Sequence, residues 1–304
     1  MTSIARGAAA EPSYRRGIAL VLLAGVCWST MGLGIRLMDE ATAWQILFYR
    51  SIALTAFLLA VIAMRNGGDI AGAFRKAGLS AVLGGLALVA AFSGGVFAIT
   101  QTTVANAMFL FAAAPFLAAL LGYLILREPV RRATLIATVF AVLGIALMVV
   151  DALSFGRLLG NLTALISALG FALFTVALRW GQNTDMLPAI VYGGLFTILF
   201  AGGVCLATGQ GITVPWRDAG LAAAMGVFQL GAGLAFYTAG SKSVPAAELA
   251  LLAMVEVLLG PLWVWLLLGE EAGFYTLLGG AVLLAALAGN AMTGLRRRPL
   301  PPTH

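Results

Sequence analysis

The chain has 304 residues, of which 62% are hydrophobic and only 10% are charged, and its formal net charge is +6. A soluble domain is about half apolar and about one quarter charged, so this composition excludes a soluble globular fold and predicts a polytopic membrane protein. Positive charge is typical of the cytoplasmic loops of such proteins, and we therefore expect no binding of nucleic acid.

The residue types that form metal sites and most catalytic sites are scarce. The only histidine is His304, the last residue, and Cys27 and Cys205 stand alone in apolar runs. This spacing is typical of neither a metal site nor a disulfide framework. We therefore expect no metal ion, no cofactor and no enzymatic activity.

A transmembrane helix needs about 20 mainly apolar residues. On that rule the sequence predicts an all-α membrane protein with ten transmembrane helices, joined by short loops that leave no extramembrane domain. The polar N-terminal segment lacks the pattern of a cleavable signal, so the first helix should remain in the membrane. We number these spans 1 to 10, and they cover roughly residues 17–38, 43–64, 79–99, 104–126, 133–151, 158–179, 187–208, 219–239, 246–268 and 273–294.

The positive residues are unevenly distributed between the loops. If the N-terminus is cytoplasmic, most Lys and Arg residues fall inside, and the outer ends of the spans keep only Arg36, Arg157 and Arg217. Cytoplasmic loops carry the excess of Lys and Arg in membrane proteins. Because the number of spans is even, both termini are predicted to be cytoplasmic.

The two halves of the chain share an internal similarity. The segment FAITQTTV (97–104) matches YTAGSKSV (237–244) in its aromatic, polar and valine positions. Further on, PFLAALLGYLILREP (115–129) runs parallel to VLLGPLWVWLLLGEE (257–271). The chain is therefore predicted to contain two copies of one unit.

Residues 1–152 and 153–304 are the predicted repeats, each with five helices. Because five is odd, the copies should lie inverted relative to each other in the membrane. The charges agree, since the loop REPVRR (127–132) is basic and its equivalent GEEAG (269–273) is acidic. The equivalent loops would then face opposite sides of the membrane.

Two prolines occupy similar places in the two repeats. Inverted repeats are typical of secondary transporters, whose substrate site lies near the midplane between the repeats. Pro115 in span 4 and Pro261 in span 9 lie one helical turn apart in the aligned repeats. A proline removes a helix hydrogen bond and leaves a carbonyl for a neighbour or a ligand. We therefore predict helix breaks with a gating role at both prolines, and cavity walls in spans 4 and 9.

Glu256 is an ionisable residue about eleven residues into span 9, roughly 16 Å deep in the membrane. A charge at that depth costs at least about 2.5–3.5 kcal/mol, and such residues usually face the bundle interior or a water-filled path. Glu256 is interpreted as a proton-titrating group or a contact for a substrate ammonium. The structural alternative is a protonated acid that hydrogen-bonds to a neighbouring helix. Glu248 lies nearer the cytoplasmic face, where an interfacial, solvated acid is the favoured interpretation.

Further polar side chains are candidates for substrate binding. Gln229 and Tyr237 share one face of span 8, and Asn106 occupies in span 4 the place of Glu248 in span 9. Polar atoms in hydrocarbon need a partner, so these faces are predicted to converge, with Asn106, Gln229 or Tyr237 meeting a substrate carboxylate. Arg50 in span 2 is a second buried charge, which either partners a carboxylate or holds a helix end.

Aromatic residues at related positions complete the predicted site. Trp28 in span 1 and Phe171 in span 6 each lie eight residues before an arginine, Arg36 and Arg179 respectively. They are either cavity aromatics or ordinary packing residues. Together with Phe92 in span 3, they would suit a substrate with a bulky apolar side chain.

Several stretches resemble the drug/metabolite transporter superfamily, specifically its EamA-type ten-helix permeases, over nearly the whole length. They are LFYRS in span 2, APFLAALLGYLILREPV in span 4, YTAGSKSVPAAELALLAMVEV leading into span 9, and LLGEE at its end. The chain departs from the family's E-P-x-x-A centre, because the first copy has Pro115 without the acid and the second has Glu256 without the adjacent proline.

Within that family the chain is most similar to bacterial inner-membrane exporters of amino acids, including aromatic ones. The resemblance implies a multi-pass protein of the cell inner membrane that exports amino acids and related metabolites through a central cavity lined by helices 1, 3, 4, 6, 8 and 9. We expect alternating access, a small-molecule substrate, the lipid bilayer as surroundings and a monomeric chain. The alternatives are a multidrug or other small-metabolite efflux permease of the same superfamily, and a scaffold or channel-like protein.

Overall fold

A computed structural model of the chain describes residues 3–154, 158–181, 185–241, 243–244 and 246–295. Every secondary-structure element within these ranges is helical, which confirms the prediction of an all-α fold. The predicted helix ends agree with the structure to within a few residues except at the start of spans 1 and 3.

The helical segments lie at the predicted positions, and we keep their span numbers. Nine of them, within the described residues, are long and apolar enough to cross a membrane, and span 9 contributes the shorter apolar stretch Met254–Leu268. In chain order the helices are Ser3–Ser29 and Met31–Arg36 (span 1), Ala43–Arg65 (2), Ile70–Gln101 (3), Val104–Phe111 and Ala114–Leu126 (4), Arg132–Ser154 (5), Leu158–Trp180 (6), Leu187–Ala207 (7), Trp216–Ala224, Met225–Ala232 and Gly233–Gly240 (8), Ala246–Leu268 (9) and Phe274–Leu295 (10).

Span 3 begins earlier than the hydropathy predicts, because a short polar helix precedes it. The kink between the two parts lies at Gly78, where φ is 62° and ψ is −159°. Glycine adopts a positive φ without the steric penalty that a side chain would incur. The chain can therefore turn into the membrane at this point.

Span 1 is broken one residue after Ser29. The hydroxyls of Ser29 and Thr30 donate to the carbonyls of Val26 and Cys27, each at 2.7 Å. Ser and Thr hydroxyls that bond back to the preceding turn compete with the helix ladder and bend the helix. The interruption at Thr30 comes two residues after Trp28 and separates the short helix Met31–Arg36 from the rest of the span.

The two prolines have different effects. Span 4 is interrupted at residues 112–113, and Pro115 stands in the first turn of the second helix, where its missing N–H leaves no bond unmade. Span 9 runs as one helix through Pro261, so the predicted break there is wrong. A single proline removes one hydrogen bond, and in hydrocarbon the neighbouring bonds persist because their groups have no other partner.

Span 8 has a π-helical segment, Met225–Ala232, in its middle. Such wide turns are rare and are frequently found at functional sites. Its glycines allow close contacts, because a Cβ at Gly226 would lie 2.9 Å from the amide nitrogen of Leu54, and a Cβ at Gly231 would lie 2.6 Å from Phe57 Cδ1. Span 8 therefore packs directly on the backbone of span 2.

The packing joins spans of one half to spans of the other. Span 3 packs against spans 6 and 7, and span 8 packs against spans 1 and 2. Span 1 packs against span 9 as span 6 does against span 4, and spans 2 and 7 and spans 5 and 10 form direct pairs. Spans 1 to 5 correspond in order to spans 6 to 10. When each span is replaced by its corresponding span, every one of these contacts becomes another contact of the same set or itself.

Two apolar clusters fill the interior. One surrounds span 4 and includes Met108 and Leu110, and the other lies between spans 2, 3, 6 and 7 and includes Leu88 and Ile190. Phe92 packs against both clusters. The middle of span 3 is therefore the place where the two clusters meet.

Ion pairs close the two ends of the bundle. Arg36, at the end of span 1, donates from Nε to Glu270 Oε2 at 2.7 Å, and Arg179, at the end of span 6, donates to Glu128 Oε2 at 2.8 Å. Spans 1 and 6 run in opposite directions, so the pairs lie at opposite ends, which we name the Arg36 end and the Arg179 end. Arg36 aligns with Arg179 and Glu270 with Glu128 in the sequence repeat.

The two ion pairs differ in their surroundings. At the Arg36 end, Glu270 also accepts from the Val104 N–H at 2.6 Å, and Arg36 donates to the Thr102 carbonyl at 2.8 Å. The side chains of that pair are 27% and 19% exposed, whereas those of the Arg179 pair are 42% and 43% exposed. The Arg36 end is thus held by a partly buried network that joins spans 1, 4 and 9.

Glu270→Gln is expected to lower the free energy of unfolding by about 2–3 kcal/mol, because it removes a charge from a partly buried network. Glu128→Gln should lower it by less than about 1 kcal/mol, because exposed ion pairs contribute little. Unfolding of the purified protein in mixed micelles, titrated with sodium dodecyl sulfate, measures both changes. Equal losses in the two variants would contradict the difference in burial.

Candidate substrate site

Trp28 and Tyr237 form an aromatic pair between spans 1 and 8. Their ring centroids lie 5.4 Å apart with the planes tilted by 42°. The indole Nε1 of Trp28 is buried and has no hydrogen-bond partner among the described residues. A buried indole N–H normally donates to a partner, so this donor is available to a ligand.

Gly233 makes room for the indole ring. A Cβ at this position would lie 2.6 Å from Trp28 Cδ1, well inside van der Waals contact. Gly233 is four residues before Tyr237, so both lie on one face of span 8. Span 8 therefore contacts the indole of Trp28 through both Gly233 and Tyr237.

Gln229 lies on the same face, within the π-helical segment. Its side chain is 5% exposed, and Oε1 has no hydrogen-bond partner among the described residues. A buried amide without a partner is costly, and such atoms in native structures usually meet water or a ligand. Gln229 and Tyr237 therefore both stay predicted contacts of the substrate.

Phe92 contacts Arg50, a residue whose role the sequence left open. The guanidinium carbon of Arg50 lies 5.3 Å from the centroid of the Phe92 ring. This distance is within the range of a cation–π contact. Phe92 therefore lies beside a buried cation in span 2 rather than beside the pair of Trp28 and Tyr237.

Glu256 lies against span 1. A Cβ at Gly25 would be 3.6 Å from the amide nitrogen of Glu256 and 3.5 Å from Val255 Cβ. Gly25 is one helical turn before Trp28, so Glu256 is next to the turn that carries the indole. Within the described residues its partly buried carboxylate forms no ion pair and no hydrogen bond.

Asn106 lies elsewhere, near the Arg36 end. Its amide nitrogen donates to Thr102 Oγ1 at 3.1 Å and to Asn161 Oδ1 of span 6. An amide NH₂ group has two donors, and both are used here. Asn106 therefore has no donor left for a substrate carboxylate, and it joins spans 3, 4 and 6.

The remaining predicted residues do not join the aromatic pair. The Phe171 side chain is 51% exposed and contacts Phe174, its neighbour one turn along span 6. Pro115 is exposed and Pro261 is partly buried in a continuous helix. The structure thus brings together Trp28 and Tyr237, while Gln229 lies eight residues before Tyr237 on span 8 and the backbone of Glu256 packs against span 1 at Gly25.

In the part of the chain that the structure describes, three hydroxyl-bearing residues that were not sequence candidates also have buried oxygens without a hydrogen-bond partner. They are Ser51 and Thr55, one turn apart on span 2, and Ser93, which follows Phe92. Serine and threonine are common in membrane helices as packing residues, so their sequence positions carry no signal of a site. Only the absence of a partner in the tertiary structure distinguishes them.

A cleft of about 170 Å³ opens at a different place, between spans 2, 7 and 8 toward the Arg179 end. It contains none of the predicted site residues. Its lining is mainly apolar and consists of Leu58, Val61, Arg65, Leu187, Ala235, Thr238 and Ala239.

Comparison with known families explains the fold. The family model of EamA-like transporters matches this chain twice, over residues 15–150 and 158–292. The chain belongs to the EamA-like transporter family. It is therefore a multi-pass membrane transporter, and the family is in general not one of enzymes.

Two curated relatives of this EamA-like transporter come from Helicobacter pylori, and both are described as uncharacterized transporters. The relative from strain ATCC 700392 / 26695 is 31% identical over 136 residues, which are 43% of this chain and 44% of the relative. The relative from strain J99 / ATCC 700824 is 25% identical over 209 residues, 67% of each chain. The chain thus spans less than half of the first relative's length.

A solved crystal structure, described only as that of a protein, has the same fold. It superposes with a TM-score of 0.63 over 94% of this chain and 99% of the other, at 18% sequence identity. At this identity the similarity concerns the fold alone.

Gly233→Ala is expected to lower the free energy of unfolding by about 1–3 kcal/mol, because the new methyl group displaces the Trp28 ring in a packed interior. Gly220→Ala on the same span is the matched control, since a Cβ there meets nothing within 4 Å. That substitution should be neutral or stabilise by up to about 1 kcal/mol, as alanine is the better helix former. Detergent-titrated unfolding distinguishes the two, and an equal effect would contradict the close contact at Gly233.

Proposed function

We propose that this EamA-like transporter exports amino acids with aromatic or other apolar side chains across the bacterial inner membrane. The observation that carries the proposal is the pair of Trp28 and Tyr237, together with Glu256, whose backbone packs against span 1 one turn before Trp28 and which has no ion-pair partner among the described residues. The aromatic pair supports binding of an apolar side chain, and the unpaired carboxylate supports binding of an ammonium group.

The chemistry of the pair is suited to a ligand with both apolar and polar parts. Aromatic rings bind other rings in tilted or offset arrangements, and their gain adds to that of apolar burial. The free donor of Trp28 and the free acceptor of Gln229 would orient the polar part of the ligand. An ammonium group beside Glu256 would compensate a charge that otherwise has no partner at this depth.

Alternating access between two inverted repeats is the mechanism that we propose. The halves 1–152 and 153–304 correspond closely to the two matched family segments. Two further observations support it. The contacts between spans of the two halves form a symmetric set, and the two repeat-related ion pairs lie at opposite ends. To open one end of the bundle, the ion pair at that end would break while the ion pair at the other end stays intact. Access would then alternate between the two sides of the membrane.

The charge distribution supports the membrane orientation that we propose. The Arg179 end would face the cytoplasm together with both termini, because the loops at that end carry most of the Lys and Arg residues. Substrate would enter between Arg179 and Glu128 and leave between Arg36 and Glu270. A single chain holds both halves of the pathway, so we propose that the monomer is the transporting unit.

Counterflow of radiolabelled L-phenylalanine into proteoliposomes tests the proposal. Wild-type protein should show saturable counterflow, and Glu256→Gln and Tyr237→Phe should each reduce it at least about ten-fold, because they remove a charged or polar contact. Glu271→Gln, which changes an exposed acid in the next loop, is the matched control and should transport normally.

Unchanged transport in both Glu256→Gln and Tyr237→Phe would refute the site. Absence of saturable counterflow for every amino acid, with exchange of hydrophobic cationic drugs instead, would refute the substrate class. Unsaturable flux would refute a carrier mechanism.

Cysteine bridges test the alternating opening of the two ends. One variant carries Arg36→Cys with Glu270→Cys, and a second carries Arg179→Cys with Glu128→Cys. Each pair is joined by a short bifunctional methanethiosulfonate reagent, because an Arg–Glu contact through two long side chains leaves the backbones farther apart than a direct disulfide spans. A bridge at either end should reduce transport at least about ten-fold by holding that end shut, and reduction should restore it.

The control bridge joins spans that we expect to stay together. Thr134 Oγ1 donates to Asn290 Oδ1 at 2.9 Å between spans 5 and 10, and a Cys pair at these positions should leave transport unchanged. All variants carry Cys27→Ser and Cys205→Ala, because these are the native cysteines. Normal transport in both variants with their bridges closed would contradict alternating access.

A further inference from the structure

Arg50 is buried in the protein interior without a counter-ion among the described residues. The residue is 2% exposed, and its guanidinium forms no ion pair and no hydrogen bond with any described residue. In contrast, Arg36, Arg179 and Arg217 all pair with a carboxylate in the structure. Arg50 is therefore unlike the paired arginines at the ends of the bundle.

The contact with Phe92 does not replace a counter-ion. A cation–π contact offsets only part of the cost of removing a guanidinium from water, and the remaining donors still need acceptors. A buried charge without a partner is strongly destabilising, and within membrane spans such residues usually belong to substrate or ion pathways. Because no described residue supplies an anionic partner, the surroundings of Arg50 are suited to an anionic ligand.

The elements around Arg50 are consistent with a ligand site. Span 8 packs against the backbone of Arg50 through Gly226, so the π-helical segment with Gln229 adjoins span 2. The buried oxygens of Ser51 on span 2 and Ser93 on span 3 have no hydrogen-bond partner among the described residues. Hydroxyl groups can donate to an anion, so these residues add donors on the spans that meet at Arg50.

We propose that Arg50 binds the carboxylate of the transported molecule and thereby selects organic acids and amino acids against amines and neutral drugs. A guanidinium offers donors in a planar fork that matches the two oxygens of a carboxylate. The inference rests on the proposed transport site, and it replaces Asn106, whose two amide donors are already used, as the carboxylate contact.

Binding of three related compounds to the purified protein tests this role. L-phenylalanine has a carboxylate and an amine, 3-phenylpropionate has only the carboxylate, and phenethylamine has only the amine. Isothermal titration calorimetry on wild-type protein should show that both acids bind at least about ten-fold more tightly than phenethylamine.

Substitutions of Arg50 should change this preference and not merely weaken all binding. Arg50→Gln should lose at least about ten-fold in affinity for both acids and little for phenethylamine, and Arg50→Lys should keep part of the affinity because it keeps the charge. Arg75→Gln, which removes an exposed charge on span 3, is the matched control and should bind as wild type does.

Three results would overturn the role of Arg50. They are wild-type affinity of Arg50→Gln for 3-phenylpropionate, an equal or higher affinity of wild-type protein for phenethylamine, and no binding of either acid to wild-type protein. The second and third need no variant, so they decide the matter even if Arg50→Gln does not fold. Failure of the amino-acid export proposal is distinct, because wild-type proteoliposomes would then show no amino-acid counterflow although 3-phenylpropionate binds through Arg50.

Discussion

The lack of water in the bilayer core constrains every polar atom of this chain. A backbone group in hydrocarbon must find its partner within the protein, so the spans are helices and their interruptions are supported locally. In span 1 the hydroxyls of Ser29 and Thr30 bond to the preceding turn, and in span 4 the break coincides with Pro115, which has no donor to satisfy. The same constraint keeps span 9 continuous through Pro261.

The constraint also separates two kinds of charge. At the ends of the bundle Arg36 and Arg179 have carboxylate partners, and these pairs join spans to each other. In the interior, Arg50 and Glu256 have no such partner among the described residues. Charges that are paired can hold a structure together, whereas an unpaired charge in the interior is available to a substrate.

The two ends of the bundle are unequally closed. Glu270 combines an ion pair with a bond from the backbone of span 4, whereas Glu128 has a more exposed pair with Arg179. The same residue types thus occupy repeat-related positions in different surroundings. In the proposed mechanism this difference corresponds to a conformation whose Arg36 end is the more firmly shut, and the opposite conformation would exchange the two environments.

The all-helical fold and the positions of the spans could be predicted from the sequence. Hydropathy depends on local composition, and about 20 apolar residues in succession have few other structures available in a membrane. Trp28 and Tyr237 were predicted separately as site residues and not as a pair, because the distance between spans 1 and 8 depends on Gly233 and on the π-helical turn before it.

Other parts of the site depended on neighbours far away in the chain. Pro115 and Pro261 lie one helical turn apart in the aligned repeats, yet only the first coincides with a helix break. Asn106 is a polar residue of a span like Gln229, but Thr102 and Asn161 use its donors. The sequence by itself determined which segments lie in the membrane and which residues there are polar, because both follow from local composition. Only the tertiary structure decided which of those polar atoms have partners, because a partner in a helical bundle comes from another span.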